Sequence, residues 1–265
     1  MNAAHEPQLD HEPAAPSSVA LPLVALLARP ALALAAQSGT ALRLRARHQP
    51  EPFRRAAGWW MVYSTAVDAG CAVLLAAAAR REGVSLRSAA GLEARPARRL
   101  RAAALDAAAL VPAAVLSQLL SRPLSSDPTD PYPPQIRVSQ LHGAARVYSL
   151  TLWPALWALG EEVTYLGYAL PRLEHRLGRG PAAALVALAW AAQHAVMPAL
   201  PGRRYALMRV LTMLPVSAAF TGVYLLRGRR LPPLIAAHWA SDASTAGLAA
   251  ALAAGALTTD ASPAP

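Results

Sequence analysis

The sequence contains a single cysteine and no lysine. Its single cysteine, Cys71, excludes a disulfide framework and a cysteine-based zinc site, so we expect it to pack in the core. All 25 basic residues are arginines, which together with abundant alanine and proline is typical of a GC-rich bacterial genome. The glycines are scattered, so no phosphate-binding loop is indicated, and no serine nucleophile motif is present.

Charge is scarce as well, because 15% of the residues are charged and 55% are hydrophobic, with a mean hydropathy of +0.28. Alanine and leucine dominate, which favours helices over strands. The composition therefore predicts an all-α fold, a polytopic transmembrane helical bundle in the bacterial cell membrane. The net charge of +10 comes from arginine clusters between apolar runs, where they would meet lipid headgroups. We expect the lipid bilayer, and no nucleic acid, as the partner of these arginines.

About seven apolar runs approach the roughly 20 residues that a membrane span requires. The polar, proline-rich start of the chain lacks the basic region of a cleavable signal peptide. The predicted spans are 19–42, 57–79, 102–120, 144–170, 181–200, 206–226 and 231–257. The predicted regions are a disordered tail at 1–18, N-terminal membrane helices with a basic surface segment at 19–120, a Pro-rich loop at 121–143, a helical core with the candidate site at 144–257, and a disordered tail at 258–265.

The first two predicted spans each carry one charge, Arg29 in the first and Asp68 in the second. A charge inside a membrane span is costly and is usually paired. We therefore expect Asp68 to pair with Arg29 or with a hydroxyl group, in preference to a role in the candidate site.

Two adjacent acids, Glu161 and Glu162, stand in an apolar, helix-like run. Acids within a membrane span are rare, so this pair indicates a functional site. Helical geometry points the two side chains in different directions and places Glu161 on the face of Tyr165 and Tyr168. The alternative is that both acids lie at a helix end and are solvated.

Two later runs carry histidines: His194, one turn after Trp190, and His238, one turn before Asp242. With Glu161, the histidines supply a general base and hydrogen-bond donors, which suffice to activate a water against an amide carbonyl. Two histidines and a glutamate also match the ligands of catalytic zinc sites, without a His-Glu-x-x-His helix. A zinc ion held by Glu161, His194 and His238 therefore stays open as an alternative to hydrolysis without metal.

These residues resemble the three motifs of the CPBP intramembrane metalloprotease family, as Glu161-Glu162-x-x-x, Trp190-x-x-x-His194 and His238-x-x-x-Asp242. That family includes CAAX prenyl endopeptidases and bacteriocin-processing or self-immunity proteins, often called Abi proteins. The resemblance covers about 153–247. It implies a helical bundle in which the first glutamate and the two histidines surround a water and cleave near the C-terminus of prenylated or other peptides.

Three positions depart from the family pattern. Position 166 is Leu where the first motif usually ends in Arg, so Glu162 lacks a basic partner one turn away. Asp242 replaces the Asn that is common in the last motif, and an ionised Asp cannot donate a hydrogen bond to an oxyanion. Trp190 replaces a Phe.

The resemblance implies an intramembrane endopeptidase that acts on a peptide or membrane-protein substrate. Glu161 is then the general base, His194 and His238 hold the water or the oxyanion, and Glu162 and Asp242 are secondary site residues. The alternative is a non-catalytic member that acts as a scaffold, an immunity protein or a binding partner, which Leu166 favours. A small transporter is a third hypothesis, although the sequence shows no internal repeat.

Overall fold

The computed structural model describes residues 19–92, 100–121 and 141–259. Within these ranges the chain forms α-helices and one π-helical segment, with no β-strand. The predicted all-α fold is confirmed. The two predicted tails and the Pro-rich loop lie almost entirely outside the described residues.

The N-terminal half is built on two long helices that pack against each other, α1 and α3. Both are rich in alanine and leucine, the residues that favour helices most. Of the predicted basic surface segment, Arg80 and Arg81 lie in the last turn of α3, a four-residue helix follows at Leu86–Ala89, and 93–99 lie outside the described residues. The helices are α1 (Ala20–Ala46), α2 (Pro52–Ala57), α3 (Trp60–Glu82) and α4 (Leu86–Ala89).

The predicted span at 102–120 is divided into two helices, α5 (Leu100–Ala108) and α6 (Val111–Ser121). Pro112 lies in the first turn of α6. A proline lacks the backbone N–H and is tolerated in that turn, whereas inside a continuous helix it would remove a hydrogen bond. The proline therefore explains why one apolar run forms two helices.

The second half combines four helices of 8 to 15 residues, a π-helical segment and two long helices of 24 and 29 residues. The predicted span at 144–170 is also divided, with Pro154 in the first turn of a new helix and a π-helical segment after it. The elements are α7 (Gly143–Thr151), α8 (Trp153–Glu162), the π-helical segment (Val163–Ala169), α9 (Leu170–Leu177), α10 (Arg179–Gln193), α11 (Arg203–Leu226) and α12 (Leu231–Thr259).

Among the described residues, three helices are long and apolar enough to cross a membrane, α1, α3 and α11. This finding supports the predicted helical membrane protein. The number of seven spans stays a prediction, since α8 has 10 residues and α10 has 15, fewer than the roughly 20 that a straight span requires.

The π-helical segment is the most enclosed element, because all of its residues are buried. It contacts α1, α3, α10 and α12. Helix α8, which leads into it, packs against α3 and α12. The two acids at the end of α8 are therefore surrounded by helices from both halves of the chain.

Candidate active site

Glu161 and Glu162 are the last two residues of α8, and both side chains are fully buried, at 0% exposure. The alternative interpretation, in which they are solvated at a helix end, is therefore wrong. Buried carboxyl groups require hydrogen-bond or charged partners. Each acid has its own set of partners, as their different directions on the helix predict.

The π-helical segment that follows changes which side chains lie beside Glu161. A π-turn contains more residues than an α-turn, so the α-helical spacing used for the prediction does not hold. Tyr165 stays in the group of Glu161, since its hydroxyl donates to Gln193 Oε1 at 2.9 Å. Tyr168 instead lies 3.2 Å from Glu82 Oε1. The predicted common face is confirmed for Tyr165 and wrong for Tyr168.

Glu161 is held by two hydrogen bonds from α10. Trp190 Nε1 donates to its Oε2 at 2.6 Å, and Gln193 Nε2 donates to its Oε1 at 2.5 Å. The indole of Trp190 is itself stacked on Tyr165, with ring centroids 5.3 Å apart. Trp190, the first residue of the second motif, therefore donates a hydrogen bond to Glu161. The sequence did not indicate this contact.

Glu162 faces α12, where it contacts His238. His238 Nδ1 lies 2.9 Å from Glu162 Oε1 and 3.1 Å from Oε2. Glu162 thus has a histidine partner, although position 166 offers no arginine. Leu166 is instead fully buried in the apolar core.

The other nitrogen of His238 faces two carboxylates. Nε2 lies 3.3 Å from Asp242 Oδ2, one turn away on α12 as the spacing of the two residues predicts. The two atoms lie within ion-pair distance but are not aligned for a hydrogen bond, and Asp242 Oδ2 accepts none from the part of the chain that the structure describes. Phe220 of α11 packs edge-on against the imidazole, with centroids 5.5 Å apart. The ring is therefore fixed on several sides.

A short gap separates His238 from Glu161. The distance from His238 Nε2 to Glu161 Oε2 is 3.9 Å, too long for a direct hydrogen bond and suited to a bridging water. The side chains of His238 and Asp242 are 14% and 22% exposed, whereas Glu161 is fully buried. The cluster is therefore closed behind Glu161 and accessible beside His238.

His194 lies at the C-terminal end of α10, and its Nδ1 is 2.9 Å from the Trp190 carbonyl oxygen. A carbonyl only accepts, so Nδ1 carries a hydrogen. Within the described part of the chain, His194 forms no hydrogen bond or ion pair with the two glutamates or with His238. The structure thus brings Glu161, Glu162, His238 and Asp242 into contact, and His194 joins them through Trp190.

A catalytic zinc site would require three protein ligands around one point. No group of three or more His, Cys, Asp or Glu in the described residues is arranged to hold one. Both oxygens of Glu161 accept hydrogen bonds, and both nitrogens of His238 face carboxylates. The residues as placed do not fit a zinc ion, and zinc binding stays an untested prediction.

Arg29 of α1 reaches the site from the N-terminal half. It is fully buried, and its Nη1 lies 2.9 Å from Asp68 Oδ1, which confirms the predicted pairing of these residues. Its Nε donates to Gln193 Oε1 at 3.3 Å, and its Nη2 is 4.0 Å from Glu161 Oε1. The isolated charge of Arg29 in an apolar run predicts that Arg29 has a buried partner. Nothing in the sequence indicates that Gln193 is part of the site.

Comparison with known protein families gives a match in the second half of the chain. Residues 143–244 match the family model described as Type II CAAX prenyl endopeptidase Rce1-like. No curated protein and no solved structure matches the chain. The matched range begins at α7, ends within α12 and contains all five predicted site residues. Residues 143–244 therefore match an Rce1-like domain, which matches the CPBP/CAAX protease family.

Proposed function

We propose that the protein is an intramembrane endopeptidase that hydrolyses a peptide bond with a water activated by Glu161 and His238. The observation that supports this most is the 3.9 Å separation between Glu161 Oε2 and His238 Nε2. A water there can hydrogen-bond to both groups, one of which is a carboxylate that can act as a general base.

Glu161 takes a proton from the water while the water oxygen forms a bond to the peptide carbonyl carbon. The C–N bond then breaks, and Glu161 returns the proton to the leaving amine. His238, oriented by Glu162, faces the developing oxyanion with Nε2. In the singly protonated ring of His194 the hydrogen lies on Nδ1, so Nε2 is an acceptor, and we assign His194 to holding the water.

The family suggests the first substrates to test. Its description as a type II CAAX prenyl endopeptidase makes a prenylated peptide with a C-terminal CAAX sequence the leading candidate. A membrane bundle whose site is accessible beside His238 and Asp242 suits a peptide held close to the bilayer. Bacteriocin processing is the other activity that the resemblance implies.

The alternative function is that of a non-catalytic member that binds a peptide or membrane protein. One observation favours it, the buried Leu166 at the position of the usual arginine. The contact of Glu162 with His238 weakens this argument, because the acid does not need a cation from position 166.

The test uses the purified protein in detergent with farnesylated and unmodified CAAX peptides, and mass spectrometry detects the products. We expect Glu161→Gln to lower the cleavage rate by about 10² to 10⁴, the usual loss for a general base. Glu51→Gln, at an exposed position outside the site, is the matched control and should cleave like the parent. Equal cleavage by Glu161→Gln would contradict the mechanism, and binding without cleavage by the parent would support the alternative.

A further inference from the structure

The site includes a buried cation that lies outside the matched domain. Arg29, on α1, is fully buried and 4.0 Å from Glu161. We propose that Arg29, together with Asp68, positions Glu161 through Gln193. The effect on catalysis rests on the proposed function, whereas the effect on the orientation of Glu161 does not.

The first step of the argument is the orientation of the Gln193 amide. Arg29 can only donate hydrogen bonds, so the atom of Gln193 that faces Arg29 Nε must be the oxygen. Tyr165 also donates to this oxygen. The NH₂ group of Gln193 must then point the other way, and it donates to Glu161 Oε1. Arg29 thus determines which group Gln193 presents to Glu161.

The second step concerns Arg29 itself. It lies 4.5 Å from the centroid of the Trp157 ring, and its Nη1 is 2.9 Å from Asp68 Oδ1. Among the described residues, neither Nη1 nor Nη2 has an aligned hydrogen-bond partner, and both are buried. A buried guanidinium with such incomplete bonding costs stability, so its retention beside Glu161 requires a reason.

The third step is the space that α8 leaves for the pair. A Cβ atom at Gly160, the residue before Glu161, would lie 2.4 Å from Asp68 Oδ1 and 3.0 Å from Arg29 Nη1. Glycine therefore allows α3 and α1 to bring these two side chains directly against the helix end that carries Glu161. The site therefore receives a positive charge from Arg29 on α1, whereas Leu166, at the position of the usual arginine, is apolar.

The experiment distinguishes an effect of Arg29 on the position of Glu161 from the effect of leaving Asp68 without a charged partner. In Arg29→Met, Asp68 is left without its partner, and we expect both stability and activity to fall. In Arg29→Met/Asp68→Leu, both charges are gone, and stability should recover because apolar residues often replace a buried pair without loss. Arg45→Met, at an exposed position on the same helix, is the matched control.

The first readout needs no activity. Trp190 Nε1 donates to Glu161, so the indole N–H resonance of Trp190 in an NMR spectrum reports the position of the carboxylate. The chain has six tryptophans, and Trp190→Phe assigns the signal. We expect this resonance to move in the double variant and to stay in Arg45→Met.

The second readout is cleavage. We expect kcat of the double variant to fall on the order of 10²-fold with KM nearly unchanged, since misplacing a catalytic group by about 1 Å has that effect. Arg29→Lys, which keeps a donor and the charge, should recover part of the loss. A stable double variant with the parent's Trp190 resonance and the parent's kcat would overturn the proposal. A parent that cleaves no peptide would refute the proposed function, and the Trp190 resonance would still test the positioning.

Discussion

Replacing Gly160 with alanine tests how closely α8 must approach the pair formed by Arg29 and Asp68. The new Cβ would lie 2.4 Å from Asp68 Oδ1, so the carboxylate must shift away from its present position. Overpacking costs about 1 to 3 kcal/mol, and breaking a buried ion pair costs about 3 to 5 kcal/mol. Alanine gains up to about 1 kcal/mol in helix propensity. We therefore expect the free energy of unfolding to fall by about 1 to 4 kcal/mol, depending on how far the pair is disrupted.

Gly39 provides the matched control, because it lies on α1 and a Cβ there would have nothing within 4 Å. Gly39→Ala should raise the free energy of unfolding by up to about 1 kcal/mol through helix propensity alone. The two substitutions are chemically identical, so the opposite signs can arise only from the surroundings. Titration with sodium dodecyl sulfate in mixed micelles, followed by circular dichroism, measures both.

A double-mutant cycle then identifies the cause of the loss. If Gly160→Ala is destabilising because it displaces Asp68, the same substitution in an Asp68→Ala background should cost little. The reasoning is refuted if Gly160→Ala stabilises the protein as Gly39→Ala does. In that case Asp68 can move without loss, and the pair is not fixed against α8.

Two further predictions concern the departures from the family pattern and the metal. Leu166→Arg should lower the free energy of unfolding by about 3 kcal/mol or more, because Leu166 is fully buried and Glu162 already contacts His238. A melting temperature equal to that of the parent would contradict this expectation. Treatment with a chelator should leave cleavage unchanged, because the described residues contain no group of three or more His, Cys, Asp or Glu that could hold a metal ion. One equivalent of zinc by elemental analysis, lost in His194→Ala, would refute that expectation.

Pairings within one helix, and between two isolated charges, could be predicted from the sequence. His238 and Asp242 are one turn apart, and helical geometry alone brings them together. Arg29 and Asp68 are the single charges of two apolar runs, and the cost of an unpaired charge in such runs predicts their contact. Both arguments use only local spacing or the need for charge neutrality.

Contacts that depend on three-dimensional packing could not be predicted in this way. The hydrogen bond from Trp190 to Glu161 joins residues 29 positions apart, and its partner Gln193 is an uncharged residue in an alanine-rich helix. The π-helical segment was missed as well, because hydrophobic periodicity in a uniformly buried stretch does not distinguish an α-turn from a π-turn. The two apolar runs are divided at Pro112 and Pro154 in agreement with proline chemistry, whereas run length alone predicts an undivided span in each case.

The position of Arg29 on α1 has a consequence for any attempt to reduce the protein to a minimal fragment. A recombinant piece that starts at residue 143 would retain both glutamates, both histidines and Asp242, so a sequence comparison would score it as intact. It would nevertheless lose α1 and α3, two of the helices that contact the π-helical segment, and with α1 the Arg29 side chain that orients the Gln193 amide. A fragment that also contains α1 and α3 would retain both Arg29, which lies 4.0 Å from Glu161, and its partner Asp68.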